Sequence, residues 1–225
     1  MREIENNRVS IIGEVMTEFK FSHEVFGEGF YTFEVLVNRF SGKCDRLPLM
    51  ISERLIDVTE DYSGKVIEVM GHYRSYNYHE GMKNRLMLSI FVRDWNFVGE
   101  EVETSKTNQI YLEGFICKTP IYRKTPLGRE IADLLVAVNR SYGKSDYIPC
   151  IAWGRNARFI TDLEVGSKIR LQGRIQSREY CKRIGEGENA MVETRTAYEV
   201  SIAKLEVESD VNLTCDNLGG ENYGN

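Results

Sequence analysis

No stretch of this 225-residue chain approaches the roughly 18 apolar residues a membrane-spanning helix needs. Its opening, Met1-Arg2-Glu3-Ile4-Glu5-Asn6, has no apolar core of the kind a secretory leader carries. A soluble cytoplasmic protein is the expectation. The five cysteines, Cys44, Cys117, Cys150, Cys181 and Cys215, form no C-x-x-C pair and have no histidine at ligand spacing, which argues against a zinc site or a disulfide framework. Histidine is scarce as well: His23, His72 and His79 are the whole set, and none stands at a metal-binding or catalytic spacing. No nucleophile with a base beside it and no working pair of carboxylates is present, so neither an enzyme nor a cofactor is expected.

What the chain does have is repetition, and an internal repeat bears on architecture before any other feature. Val37-Asn38-Arg39 returns as Val138-Asn139-Arg140, Gly13 as Gly114, and Asp45-Arg46-Leu47-Pro48 as Asp146-Tyr147-Ile148-Pro149, all 101 residues on. Gly64 and Gly71 return as Gly166 and Gly173 at an offset of 102. Two units of about 100 residues each fit ordinary domain size. We take residues 1–98 as the first, 99–107 as a polar linker, 108–207 as the second, and 208–225 as a disordered tail.

Charge separates the copies. The net charge is −5 overall, yet residues 1–105 hold 12 Lys and Arg against 18 Asp and Glu, whereas 106–207 hold 17 against 12. A polyanion would therefore be bound mainly by the second unit.

Period-two alternation points to strands near 108–117, 130–140, 146–153, 167–180 and 194–206, matched in the first copy at 8–18, 30–40, 46–53, 65–78 and 86–97. A short helix is expected from Arg155 to Leu163, between the third and fourth strands, and a matching one in the first unit. That order is the plan of a five-stranded Greek-key barrel, the OB-fold, so the class is all-β with two tandem barrels. In the fourth strand Ile169, Leu171 and Ile175 face inward, while Lys168, Arg170, Gln172, Arg174, Gln176, Arg178 and Tyr180 form a basic stripe ending in an aromatic. In the third, Ile148, Cys150 and Ala152 face inward, and Tyr147, Ile151 and Trp153 share the other face. Gly185-Glu186-Gly187 reads as a hairpin turn rather than a phosphate loop.

Residues 108–206 resemble the bacterial single-stranded DNA-binding proteins. The likeness runs through Asn108-Gln109-Ile110-Tyr111-Leu112-Glu113-Gly114, Pro120, Arg123, Thr125, Gly128, Ala137-Val138-Asn139-Arg140, Asp146 to Gly154, and Gly166 to Arg178. It implies that Tyr142, Tyr147, Trp153 and Tyr180 stack on bases. Arg123 and Arg140, in the matched motifs, join Lys168, Arg170, Arg174 and Arg178 as candidate phosphate contacts. It also implies a homodimer supplying four barrels, a nucleoid-associated location, and a part in replication, recombination or repair.

In the first unit the equivalent aromatic positions are Ser41, Arg46, Ser52 and Tyr78, with Tyr76 on the same face as Tyr78. A weaker or different surface is expected there. The end of the chain, Asp216-Asn217-Leu218-Gly219-Gly220-Glu221-Asn222-Tyr223-Gly224-Asn225, departs from the acidic partner-binding tip usual in that family. Two alternatives stay open: an RNA-binding or replication-restart factor on the same barrel, and an adaptor whose acidic first unit recruits proteins.

Overall fold

The computed structural model describes residues 5–80, 83–99, 107–184 and 191–208. In the first unit the strands are β1 (Asn7–Val15), β2 (Lys20–Val25), β3 (Glu28–Asn38), β4 (Cys44–Ser52), β5 (Val66–Glu80) and β6 (Lys83–Phe97). The second repeats them as β7 (Asn108–Ile116), β8 (Ile121–Lys124), β9 (Glu130–Asn139), β10 (Ser145–Trp153), β11 (Lys168–Ile184) and β12 (Met191–Val207), with helix α1 (Arg155–Thr161) after β10.

Alternate residues of a strand face opposite sides of its sheet. Val9, Ile11 and Val15 of β1, like Ile110, Leu112 and Ile116 of β7, are therefore buried on one face. Each face closes on itself. β1 runs through β3, β4, β6 and β5 back to β1, and β7 through β9, β10, β12 and β11 back to β7. All pairs are antiparallel except β4 with β6 and β10 with β12. These are two five-stranded Greek-key barrels.

Closure explains the repeated glycines. Where β1 turns from β5 to β3, a Cβ on Gly13 would stand 2.8 Å from the Leu36 carbonyl oxygen, and one on Gly114 would come closer still to that of Ala137. Only glycine permits that approach. Gly71 and Gly173 press in the same way on the carbonyls of Phe91 and Ser201, beside a register shift in each long hairpin.

Two features depart from the sequence pattern. The arms β2 and β8 are exposed along their whole length, so no alternation announces them. The helix forms in the second unit, where it buries Ala157 and Ile160, whereas residues 53–64 of the first unit make turns. There the Asp57 carboxylate accepts from the Thr59 N–H at 3.0 Å and Asp61 from the Ser63 N–H at 2.9 Å, local bonds that compete with a helix. Tyr62, from that same segment, joins Phe19, Phe33, Trp95 and Phe97 in a ring cluster at 4.8–5.9 Å packed on the core. The hairpin tips around Gly81 and Gly185-Glu186-Gly187, the stretch 100–106 within the expected linker, and the tail from 209 on lie outside the described residues.

The barrels are joined edge to edge. β1 and β7 pair antiparallel from Asn7↔Leu112 to Ile11↔Asn108, making β6-β5-β1-β7-β11-β12 one continuous sheet. Val9 pairs with Ile110, its own counterpart in the repeat, so a pseudo-two-fold axis passes between them. Asn7 and Asn108 are used alike: Asn7 bonds the backbone of Tyr73 in both directions at 2.8 Å, and Asn108 that of Ile175 at 2.7 and 2.9 Å.

Two buried aspartates lock this seam. Asp146 accepts from Arg140 of its own unit and, across the seam, from the Ser75 N–H at 2.6 Å and Arg74 at 3.0 Å. Asp45 mirrors it, accepting from Arg39 and from the Ser177 N–H across the seam at 2.7 Å. Burial opposes ionisation of Asp146 more than any other single influence, but the bonds from Arg140, the Ser75 amide and Arg74 outweigh it and hold its pKa below the usual carboxylate value.

Candidate nucleic-acid interface

The outer face of β10 carries Tyr147 and Trp153, 46 % and 38 % exposed, over the buried Ile148, Cys150 and Ala152. Six residues of strand set the two rings roughly 20 Å apart. Ile151, expected beside them on the surface, is buried at 4 %. β10 is an inner strand at that point, with Asp133 of β9 opposite on one side and Ser201 of β12 on the other, and the flanking strands cover it. The Trp153 indole N–H donates to the Ser201 hydroxyl at 3.3 Å, which fixes the ring while leaving it accessible.

Along β11 the basic stripe is mixed. Lys168 lies 2.8 Å from Glu113 and 2.6 Å from Glu208, and Arg170 lies 3.0 Å from each of the same carboxylates. Those bonds raise the pKa of both cations, so both stay charged but largely neutralised by the adjoining strand and chain end. Arg174 turns toward the seam, where its Nη1 is 3.5 Å from Asp45 without hydrogen-bond geometry. Burial, then the neighbouring Arg39, lower its pKa. Gln176 is buried and donates to Glu199 at 2.7 Å. Arg178 is the open member of the series: it is 3.9 Å from Glu199 and sits 5.9 Å over the ring of Tyr180, itself 38 % exposed.

The other two arginines have structural partners. Arg140 holds Asp146 and the Ser75 carbonyl at 2.9 Å, so it belongs to the seam. Arg123 forms two bonds, 2.6 and 3.1 Å, to Asp133 on the exposed β8–β9 hairpin. Beside it Lys124, Arg129 and Arg158 line a hollow with Trp153, a set that sequence reading passed over although Arg123-Lys124 and Arg129 bracket one short turn.

Tyr142 stands on neither β10 nor β11. It stands in the Ser141–Gly143 turn, 86 % exposed, and faces a cleft on the first unit that Tyr76 also lines. Tyr78, 54 % exposed, lies farther along β5, outside that cleft. Among the described residues no three His, Cys, Asp or Glu side chains converge to hold a metal ion, and no helix is long and apolar enough to cross a membrane.

Known proteins place this geometry in context. The model of the single-strand binding protein family matches residues 107–208, the second unit. Single-stranded DNA-binding protein A of Bacillus subtilis (strain 168) is 30 % identical over 124 residues, covering 52 % of this chain and 65 % of that protein. Single-stranded DNA-binding protein 1 of Staphylococcus aureus (strain COL) is 36 % identical over 85 residues, 35 % of this chain and 51 % of that one. The chain thus spans about half to two thirds of the length of these relatives. The single-stranded DNA-binding protein of Halalkalibacterium halodurans is 30 % identical over 126 residues, 52 % of this chain and 74 % of its own length. The crystal structure of the wild-type single-stranded DNA binding protein from Thermus aquaticus aligns with a TM-score of 0.74 at 17 % identity, over 96 % of this chain and 98 % of that one. That last likeness concerns the fold, and it takes in both units.

Proposed function

Since the chain belongs to the single-strand binding protein family, we propose that it binds and shields single-stranded DNA without regard to base sequence. The observation that carries this reading is the accessibility of three rings on the second unit, Tyr147 and Trp153 on β10 and Tyr180 on β11, each held on a strand, with cations beside Trp153 and Tyr180. A single strand offers a π-face on every base and a phosphate at every step. Rings stack on the first and cations neutralise the second, and neither asks which base is present. The chemistry is binding, not catalysis.

In this reading Tyr147, Trp153 and Tyr180 stack, Arg178 meets phosphate directly, and Lys168, Arg170 and Arg123 do so by exchanging their carboxylate partners. Arg140 and Arg174 act at one remove, by holding the two units in register. Service in replication, recombination or repair in a cytoplasmic, nucleoid-associated setting, and a homodimer supplying four barrels, complete the proposal.

Fluorescence titration tests it. Trp153 emission is expected to be quenched by single-stranded DNA of any sequence, a Trp153→Phe control subtracting the signal of Trp95, the other tryptophan. Competition with matched RNA separates a DNA protein from an RNA protein. Light scattering is expected to give twice the chain mass of 26.0 kDa. Absence of quenching, or a preference for RNA, overturns the reading.

A further inference from the structure

Two arms stand outside the barrels, β2–β3 on the first unit and β8–β9 on the second, and their charges oppose. Residues 20–30 set Lys20 against Glu24 and Glu28, whereas residues 121–131 set Arg123, Lys124 and Arg129 against Glu130. The acids of the first arm are not alike. Glu28 lies 3.3 Å from Arg54, and Glu53, at the foot of the arm, accepts from the Gly29 N–H at 2.8 Å. Glu24 is exposed and has no ion-pair partner among the described residues.

The tip of this arm is strained. Val25 pairs with Glu28 across a two-residue turn, Phe26-Gly27, whose φ angles are 51° and 77°. Such a turn favours asparagine or glycine at its first position, because a bulky side chain there crowds the backbone. Phe26 occupies it all the same, fully exposed. In the turn of the second arm only Gly128 has a positive φ, and no side chain is forced into that region. Strain and an uncovered ring both disfavour phenylalanine at residue 26, and a contact that buries the ring offsets them.

The complement to this tip is on the second unit. The hollow beside Trp153 has a volume of about 640 Å³, ample for a phenyl ring, and its wall includes the accessible indole, Lys124, Arg129 and Arg158. The carboxylate in that wall, Glu130, is held by Arg158 at 2.6 Å and accepts from the Tyr122 hydroxyl at 2.8 Å. Lys124 and Arg129 form no ion pair among the described residues. An unpaired carboxylate and a bare ring on one unit thus have as counterparts two unpaired cations and an accessible ring on the other. The chain does not satisfy itself, since Phe26 is exposed within it.

We propose that the β2–β3 arm of one chain docks in the β8–β9 hollow of a second copy, with Phe26 against the Trp153 ring and Glu24 between Lys124 and Arg129. The contact joins two different patches, so it makes rings or open rows of molecules rather than a closed pair. It fills the place given above to single-stranded DNA, and strand and arm therefore exclude each other: chains associate in the absence of DNA and separate as it binds. The docking stands on the arm and the hollow, and only this competition rests on the single-strand reading.

Sedimentation velocity of the full chain tests it. At low salt and without DNA, the mass is expected to climb with protein concentration past that of a discrete dimer, and to fall back when salt screens the Glu24 contacts or when oligothymidylate is added. Phe26→Asn removes the ring and suits the left-handed turn, so the melting temperature is expected to hold or rise while association weakens about tenfold, the scale of one phenyl ring left unburied. Glu24→Lys, which sets like charges together, is expected to weaken association most at low salt. Both variants are expected to bind a short oligonucleotide as the parent chain does. A mass independent of concentration overturns the proposal, and so does association that survives both substitutions. Association that persists when oligothymidylate is bound overturns it too, by placing the contact outside the hollow. An oligonucleotide that does not bind at all overturns the single-strand reading instead, and Phe26→Asn then decides the docking alone.

Discussion

The two barrels share their construction and differ in their surfaces. Both keep the glycine that lets the first strand curl, the asparagine that ties that strand to its neighbour, and the Arg and Asp that lock the seam. On the outer face, Trp153 answers to Ser52, Tyr147 to Arg46, and Arg170 to Glu68. A residue that holds the fold has the same job in both copies, while a residue that meets a ligand is free to change once the other copy does the work. Comparing the copies therefore sorts structural from functional residues without any outside reference. It moves Arg140 into the first group and leaves Trp153 a candidate for the second.

The largest effect is expected at the seam, where the symmetry itself can be broken. Asp146 is fully buried and bonded to two guanidiniums and an amide, so Asp146→Asn turns a donor toward cations that are also donors. Removing one partner of such a buried set costs about 3 kcal/mol. Asp45→Asn should cost less, since its second arginine, Arg174, stands at 3.5 Å without hydrogen-bond geometry where Arg74 bonds Asp146 at 3.0 Å. Chemical denaturation of the two variants checks the order, and equal losses would restore full symmetry to the seam. The pH dependence follows. Because the native pKa of Asp146 lies below its unfolded value, its stabilisation is complete above about pH 4 and is lost as the pH falls through the native pKa. In Asp146→Asn that component of acid sensitivity should be missing.

Next in size is the division of labour between surfaces. Trp153→Ala or Tyr147→Ala is expected to weaken binding of single-stranded DNA by about 1–3 kcal/mol, a range drawn from this class of protein, with an unchanged melting temperature as the control. Tyr78→Ala should cost less, because it lies on the acidic first unit and outside the cleft that Tyr76 and Tyr142 line. An equal loss at Tyr78 would mean that the first barrel binds too, along β5.

How much of this could be read from the sequence depended on whether a feature is local. The curling glycines, the alternating strands and the barrel order were legible because each leaves a periodic or repeated mark. β2 and β8 bury nothing and left none. Arg140 reads as a phosphate contact when taken alone, yet Arg39-Asp45 and Arg140-Asp146 recur at the same six-residue spacing, and that recurrence is the mark of a structural pair. What no spacing could show is the partner across the seam, Ser75 or Ser177, more than 60 residues away in either direction. The contact of Phe30 with Phe91, rings 5.8 Å apart beside the Ser52 that answers to Trp153, was hidden for the same reason. It appears only once β3, β4 and β6 are set in register.

The smallest expected effect separates the cations of β11, which look equivalent along the strand and are not. Each phosphate neutralised on a single strand adds about 0.7 to the magnitude of the slope of log affinity against log salt. Arg178 is more than half exposed and only loosely paired, so Arg178→Gln should remove about that much. Lys168 and Arg170 must first give up bonds of 2.6–3.0 Å to Glu113 and Glu208 before meeting a phosphate. The carboxylates they release then repel the strand and offset the gain, so Lys168→Gln and Arg170→Gln should change the slope by less. Arg174→Gln should act on the seam, through Asp45, and appear in the melting temperature rather than in the slope. If all four substitutions flatten the slope alike, DNA displaces the carboxylates at little cost and β11 is one continuous phosphate track. The contrast with the first barrel, where Glu68 and Met70 take the places of Arg170 and Gln172, would then be sharper than the ion pairs imply.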